Sequence, residues 1–116
     1  MTVCILGNSL TALTLAKALV NYEIDVDLIS NKKSYKINVS RTIGISKNNV
    51  DFFNNNIINI EKLIWNIKTI EIYSENLNRE KLINFKKNKN HFFSIIKNYK
   101  LYQLLAKDLS KSKFFR

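Results

Sequence analysis

Gly7, Ser9 and Ala12 are the first residues whose types and spacing could do chemistry, and they stand in the stretch ILGNSLTAL (5–13). A glycine, a small residue and an alanine at this spacing, between an apolar run and a helix, can form a turn that holds a diphosphate. The free N–H groups and the dipole of a helix N-terminus attract such an anion. Ser9 stands where such turns usually have a second glycine, so it adds bulk and also a hydroxyl donor. Taken alone, the turn favours a ligand and a plain strand-to-helix connection equally.

The residue that would hold a dinucleotide's ribose is expected at the end of the next strand, about 20 residues further on. That position is Ser30, which follows Asp25 and Asp27 and precedes Asn31. A hydroxyl or an amide can hydrogen-bond a ribose hydroxyl, but neither supplies the carboxylate that is usual there.

The elements that must position this turn follow from the hydrophobic periodicity. Residues 2–6 (TVCIL) are β-branched and apolar, which predicts a strand buried on both faces. Apolar residues at helical spacing from Leu10 predict a helix to about Tyr22, with Ser9 as its N-cap. Residues 24–30 (IDVDLIS) predict a second strand, parallel to the first. The sequence therefore predicts an α/β fold built on a Rossmann-like βαβ unit.

The rest of the chain reads as short strands and helices, with an added β-hairpin. The predicted elements are an extended segment at 42–46, a helix capped by Ser46 and carrying Val50, Phe52 and Phe53, a strand at 67–74 paired with 81–85 across a turn at 75–80, a strand at 91–96, and a last helix capped by Asn98 with Leu101, Leu104, Leu105 and Leu109 on one face. Residues 57–65 are ambiguous and favour a short helix. The final residues begin another apolar run, as a strand does.

The composition bounds the class of protein. A chain of 116 residues is at most one domain, and its single cysteine, Cys4, excludes an internal disulfide and a cysteine-built metal site. Cys4 lies in the first apolar run, which predicts a buried, inert thiol in a reducing cytoplasm. No apolar stretch approaches the roughly 20 residues of a membrane span, and no basic segment resembling a signal peptide is present at the start.

The net charge of +10 invites a nucleic-acid interpretation. However, the lysines are spread along the chain, only three residues are arginine, and the basic run at 86–90 contains no aromatic residue. We therefore expect a solvated loop at 86–90 and no nucleic-acid partner. His91 and Trp65 each occur once, so they cannot complete a metal set or a nucleophilic triad, and packing or surface roles are expected for both.

Three stretches, in order, resemble the N-terminal portion of the FAD-dependent aromatic hydroxylases of ubiquinone biosynthesis. These are the 2-octaprenyl-6-methoxyphenol hydroxylase type, within the para-hydroxybenzoate hydroxylase-like flavoprotein monooxygenases. VCILGNSLTALTLAKALVNYEIDVDLIS (3–30) resembles the family's strand, Gly-rich turn, helix and strand. SRTIGIS (40–46) is similar to its Arg-Thr-x-Ala-Leu-Ser segment, and HFFSIIKNYKLYQLLAKDL (91–109) to a segment with Asn98 at the matching Asn. WNIKTIEIYSENL (65–77) resembles the strand and turn between them.

The resemblance implies an FAD site and assigns residues to it. The residues placed against the pyrophosphate are Gly7, Asn8, Ser9, Leu10, Thr11 and Ala12. Ser30 would lie at the adenosine ribose, Arg41 and Thr42 near the flavin-side phosphate or ribitol, and Asn98 near the cofactor. The alternatives are an exposed loop cation for Arg41 and helix capping for Asn98. The sequence departs from the family at Ser9, at Ser30, and at Tyr99, where many relatives have arginine.

The resemblance also implies what the longer protein does. It covers nearly all of residues 1–116 but only the first part of a family member, so we expect an incomplete FAD-binding domain without activity of its own. The family's later Asp-Gly and Gly-Asp-x-x-His-x-x-x-Pro segments are not among these residues. The implied full-length protein is an NAD(P)H-using monooxygenase that hydroxylates a polyprenyl phenol. It would be cytoplasmic, with peripheral contact at the inner membrane and a ubiquinone-biosynthesis complex as partner. The alternative is a non-enzymatic or split Rossmann-like module that acts through a partner subunit.

Overall fold

Seven strands in three small sheets, together with three helices, make up the part of the chain that the structure describes. This computed structural model describes residues 1–31, 38–75, 80–86 and 93–116, without the side chains of residues 85 and 86. The elements are β1 (Thr2–Leu6), α1 (Leu10–Asn21), β2 (Asp25–Ile29), β3 (Thr42–Ser46), α2 (Lys47–Asn56), β4 (Ile64–Ile67), β5 (Thr69–Tyr73), β6 (Lys81–Lys86), β7 (Phe93–Lys97) and α3 (Asn98–Leu109). His91, residues 87–90 of the predicted basic loop and most of the predicted turn at 75–80 lie outside the described residues.

The first unit of the fold is β1, α1 and β2. The two strands are parallel, with Thr2 opposite Asp25 and Leu6 opposite Ile29, which confirms the predicted strand–helix–strand unit. The last residues pair with the other edge of β2, since the Val26 N–H donates to the Phe114 carbonyl (2.8 Å) and the Arg116 N–H to the Val26 carbonyl (2.9 Å). Only β1 and β2 form a parallel sheet of named strands within the described ranges, so a wider Rossmann-type sheet is not seen there.

Only one face of β1 is buried, contrary to the prediction. Ile5 is 8% exposed and belongs to the core with Val26 and Leu105, whereas Leu6 is 79% exposed. Cys4 shares the outer face with Leu6 and is exposed, so the predicted buried thiol is also wrong. The physical reason is that α1 and α3 pack on the Ile5 side, and no helix of the described chain covers the other.

A three-stranded antiparallel sheet with the order β3-β7-β4 is the largest difference from the predicted architecture. The short helix favoured at 57–65 is wrong, because β4 begins at Ile64, which pairs opposite Ile96 of β7. The predicted hairpin is confirmed in β5 and β6, which pair antiparallel with Thr69 opposite Lys86.

Of the N-caps predicted for α2 and α3, the structure confirms the first and contradicts the second. Ser46 caps α2 as predicted, since its Oγ accepts a hydrogen bond from the Asn49 N–H at 3.3 Å. The prediction that Asn98 caps α3 is wrong, because the N-cap residue is Lys97 and no side chain caps this helix. The Asn98 N–H donates instead to the Arg41 carbonyl (3.0 Å), which places Asn98 inside the first turn and its side chain in the interior.

The core lies where α1 and α3 pack together. Ala16 and Leu105 are fully buried, and Leu101 and Leu109 of the predicted leucine face are buried with them. Lys17 of α1 forms an ion pair with Asp108 of α3, with 2.7 Å between Nζ and Oδ2. This pair joins the two helices at the rim of the core.

Asp108→Asn is expected to lower the free energy of unfolding by less than about 1 kcal/mol, because the carboxylate is partly exposed and the attraction is screened. Urea unfolding at low and at high salt measures the effect, which should shrink at high salt. Asp51→Asn, which removes the i,i+4 pair of Asp51 with Lys47 within α2, is the matched control and should cost less. A larger loss in the control variant would contradict this account of the Lys17–Asp108 contact.

Candidate functional site

The turn between β1 and α1 is open to solvent. Gly7 has a φ of 110°, a conformation that favours glycine, and a Cβ built there would meet no atom within 4 Å. The Gly7 N–H donates to the Ile29 carbonyl (2.8 Å), which holds the end of β2 and Ser30 beside the turn. Gly7 therefore shapes the turn and joins it to β2, but its own N–H is not available to a ligand.

Ser9 and the first residues of α1 provide the backbone N–H groups on the helix side of the turn. The Ser9 Oγ accepts a hydrogen bond from the Ala12 N–H (3.2 Å), so the protein's own hydroxyl satisfies one N–H of the first turn. The N–H groups of Leu10 and Thr11 donate no hydrogen bond within the described ranges. Ser9 and Thr11 are exposed, and Asn8 is half-buried. Two backbone donors at the positive end of a helix dipole thus remain open to an anion.

Arg41, Thr42 and Asn98 form a second group, at the edge where β3 begins and α3 starts. The backbone hydrogen bond from Asn98 to Arg41 brings these residues together, and the Arg41 side chain is exposed. Asn98 is only 7% exposed, and its Oδ1 has no hydrogen-bond donor in the part of the chain that the structure describes. Because a buried amide oxygen normally has a donor, Asn98 is the side chain whose environment most needs a ligand.

An apolar cavity of about 230 Å³ separates the turn from the second group. Leu10 of the turn lines it together with Ile43, which follows Thr42, and Ile96 and Leu101, which flank Asn98 in sequence. Of the residues predicted for the cofactor, only Leu10 lines this cavity. The second group adjoins it through nearby residues of β3, β7 and α3, and Thr42 points away from it, because successive strand residues point to opposite faces and Ile43 faces the cavity.

The three described groups whose pKa is raised, Tyr73, Lys81 and Arg116, lie away from this site. Glu71 accepts hydrogen bonds from Tyr73 Oη (2.6 Å) and Lys81 Nζ (2.7 Å) in the hairpin, and these bonds raise the pKa of both partners. The hydrogen bond to Asp27 raises the pKa of Arg116. No cluster of three or more potential metal ligands occurs among the described residues, and none of their helices is long and apolar enough to cross a membrane.

Comparison with known proteins gives a structural match. No family model and no curated protein matches the sequence. A solved 2,6-dihydroxypyridine-3-hydroxylase from Arthrobacter nicotinovorans matches over 99% of this chain, with a TM-score of 0.70 and 15% sequence identity. The two chains share a fold. The described chain spans 28% of that hydroxylase's length, so the shared fold is that of part of the larger protein, and it agrees with the flavoprotein hydroxylase resemblance at the level of fold.

The sequence alone missed one feature of this region, the buried Asn98 oxygen that lacks a donor, because asparagine before a helix is equally common as an N-cap. Outside this region, Trp65, for which a packing or surface role was expected, is 77% exposed and lies at the surface.

Proposed function

We propose that this chain is the FAD-binding part of an aromatic hydroxylase and that the diphosphate of FAD binds at the turn between β1 and α1. One observation carries the proposal: the Leu10 and Thr11 N–H groups are unused, at an open turn of a fold shared with a solved hydroxylase. A diphosphate is the ligand that backbone donors and a helix dipole at this position suit best.

The residues of the turn have separate roles in this proposal. The Leu10 and Thr11 N–H groups donate to phosphate oxygens. The Ser9 hydroxyl donates a hydrogen bond to a phosphate, while its oxygen still accepts the hydrogen bond from the Ala12 N–H. Gly7 makes the tight turn, the buried Ala12 lets α1 pack closely against the strands, and Asn8 borders the turn. Ser30, held beside the turn by the Gly7 hydrogen bond, donates to a ribose hydroxyl.

The second group orients the rest of the cofactor. Asn98 Oδ1 accepts a hydrogen bond from a hydroxyl or N–H of FAD, which satisfies the buried oxygen. The exposed Arg41 guanidinium pairs with a phosphate, for which its geometry is suited, and Thr42 borders this edge. Bound FAD would supply the redox chemistry, with reducing equivalents from NADH or NADPH. The described residues themselves bind and orient the cofactor.

The finer assignment rests on the sequence resemblance. We propose that the full protein hydroxylates a polyprenyl phenol in ubiquinone biosynthesis, working beside the other proteins of that route at the inner membrane. The three stretches that carry the resemblance, 3–30, 40–46 and 91–109, support it. The substrate residues of such a protein would lie in segments other than these.

FAD-dependent stabilisation tests the cofactor proposal. FAD at a hundredfold excess over its Kd should stabilise the chain by about 2.7 kcal/mol, seen as a rise in Tm of several degrees. ADP, which retains the diphosphate, should stabilise less but measurably, and riboflavin, which lacks phosphate, should not. An equal effect of riboflavin and FAD, or no effect of FAD, would overturn the proposal.

A second candidate is a module that acts through a partner subunit. The observation that favours it is the uncovered face of the β1–β2 sheet, where Leu6 is 79% and Ile29 57% exposed. A partner that covers this face would bury both side chains. Sedimentation of the purified chain distinguishes the candidates, because Leu6→Ser should abolish a self-association that depends on this face and leave FAD binding unchanged.

A further inference from the structure

The antiparallel β3-β7-β4 sheet has one face in the core and one outside it. Ile43, Ile45 and Ile96 contribute to the core on the inner face. Alternation along the strands places Thr42, Ile95 and Lys97 on the outer face, with Trp65 opposite Ile95. The outer face is therefore separate from the Leu10 cavity and from the turn that we propose for FAD.

This outer face carries a recess of about 470 Å³, which is within the size range of small-molecule sites. Its lining consists of Thr42, Leu63, Trp65, Ile95, Lys97 and Lys100. Trp65 is 77% exposed, so its indole offers a flat apolar surface to a ligand, and Leu63 and Ile95 extend that surface. The shape and apolar surface of the recess suit a flat ring.

Lys97 and Lys100 give the recess its charge. Neither ammonium group forms an ion pair or hydrogen bond in the described part of the chain, whereas those of Lys17, Lys47 and Lys81 each contact a carboxylate. Two unpaired ammonium groups at the rim of one apolar recess attract a negatively charged group. A ligand that combines a flat ring with such a group would use both parts of the recess. Thr42 adds a hydroxyl at the same place.

We propose that this recess binds a small amphiphilic anion: a flat apolar ring that carries a phosphate group. The ring stacks on Trp65 over Leu63 and Ile95, and the phosphate lies between Lys97 and Lys100. Of the residues that line the recess, Thr42 alone also belongs to the group that we propose for FAD, whereas Trp65, Lys97 and Lys100 do not, so the ring and phosphate contacts do not depend on FAD.

The single tryptophan makes the test direct, since its indole N–H gives one NMR resonance that reports on the recess. The probe is 2-naphthyl phosphate, with 2-naphthol as the control that lacks charge and inorganic phosphate as the control that lacks a ring. The probe should shift the Trp65 resonance saturably and bind at least about tenfold more tightly than either control, because it combines both contacts. An equal affinity for 2-naphthol, or no saturable shift, would overturn the proposal.

Variants locate the anion contact. Lys97→Gln and Lys100→Gln together should raise the Kd of the probe about tenfold, because charge-assisted contacts to phosphate are lost. Lys62→Gln with Lys68→Gln makes the same change in net charge at exposed lysines flanking β4 and should leave the Kd unchanged. Ser9→Asp at the proposed FAD turn should also leave it unchanged. Equal effects of both lysine pairs, or displacement of the probe by FAD, would contradict a separate site.

Discussion

Ser9→Asp is expected to weaken FAD binding about a hundredfold, equivalent to about 2.7 kcal/mol, while the chain remains as stable as before. Aspartate caps a helix as well as serine does, so it should accept the Ala12 N–H in place of the Ser9 Oγ. Its carboxylate, however, places a negative charge where the proposed diphosphate lies, and removes the hydroxyl donor. Titration with FAD, followed by the quenching of flavin fluorescence, measures the loss.

Ser46→Asp provides a matched control for this prediction. Ser46 caps α2 with nearly the same backbone conformation (φ −69°, ψ 158°) as Ser9 (φ −69°, ψ 166°), and its Oγ makes the same kind of bond. Both variants change the net charge by the same amount at the same kind of helix end. If Ser46→Asp weakened FAD binding as much as Ser9→Asp, the effect would be one of overall charge, and the turn would not be the diphosphate site.

Asn98→Leu is expected to raise the free energy of unfolding of the FAD-free protein by about 1–2 kcal/mol and to weaken FAD binding about tenfold. Leucine has nearly the shape of asparagine and removes the buried oxygen that lacks a donor. The backbone bond from residue 98 to the Arg41 carbonyl is unaffected by the change. The same substitution thus stabilises the empty protein and removes a ligand contact, a combination that a purely structural asparagine would not give.

Asn66→Leu is the comparison variant for Asn98→Leu. Asn66 Oδ1 accepts a hydrogen bond from Ser94 Oγ (2.8 Å), and Ser94 is fully buried, so this substitution leaves a buried hydroxyl unpaired. Its stability should fall while FAD affinity stays unchanged. Urea unfolding of both variants, without FAD, gives the sign of each effect. A loss of stability in Asn98→Leu would show that its oxygen has a partner in the folded protein.

Local patterns were sufficient for the elements that form from neighbouring residues. The spacing of leucines from Leu10 predicted α1, and the position of Ser9 and Ser46 before apolar-periodic segments predicted their capping bonds. Gly7 predicted the turn after β1, because the positive φ that this turn requires is a local backbone property that glycine adopts readily. The β5–β6 hairpin, which also joins segments close in sequence, followed from alternation.

The remaining features depend on contacts between distant segments. β4 forms because Ile64 pairs with Ile96 of β7, and the hydrophobic periodicity of residues 57–65 does not indicate that distant pairing. Asn98 is drawn into the first turn of α3 by the carbonyl of Arg41, which no capping rule anticipates. Cys4 is exposed because its face of β1 is uncovered, a fact about neighbouring layers and not about the apolar run itself. For the candidate site, the sequence named the residues, and the fold determined which of them border one region.

The pairing of residues 114–116 with β2 has a consequence during synthesis. β2 acquires one neighbour, β1, from residues made before it, and the other from residues 114–116, which are made only after the whole intervening segment. The nascent chain therefore displays an unpaired strand edge throughout translation of the intervening segment. An open edge of this kind can recruit another strand, so β2 is where a chaperone would protect the emerging polypeptide most effectively.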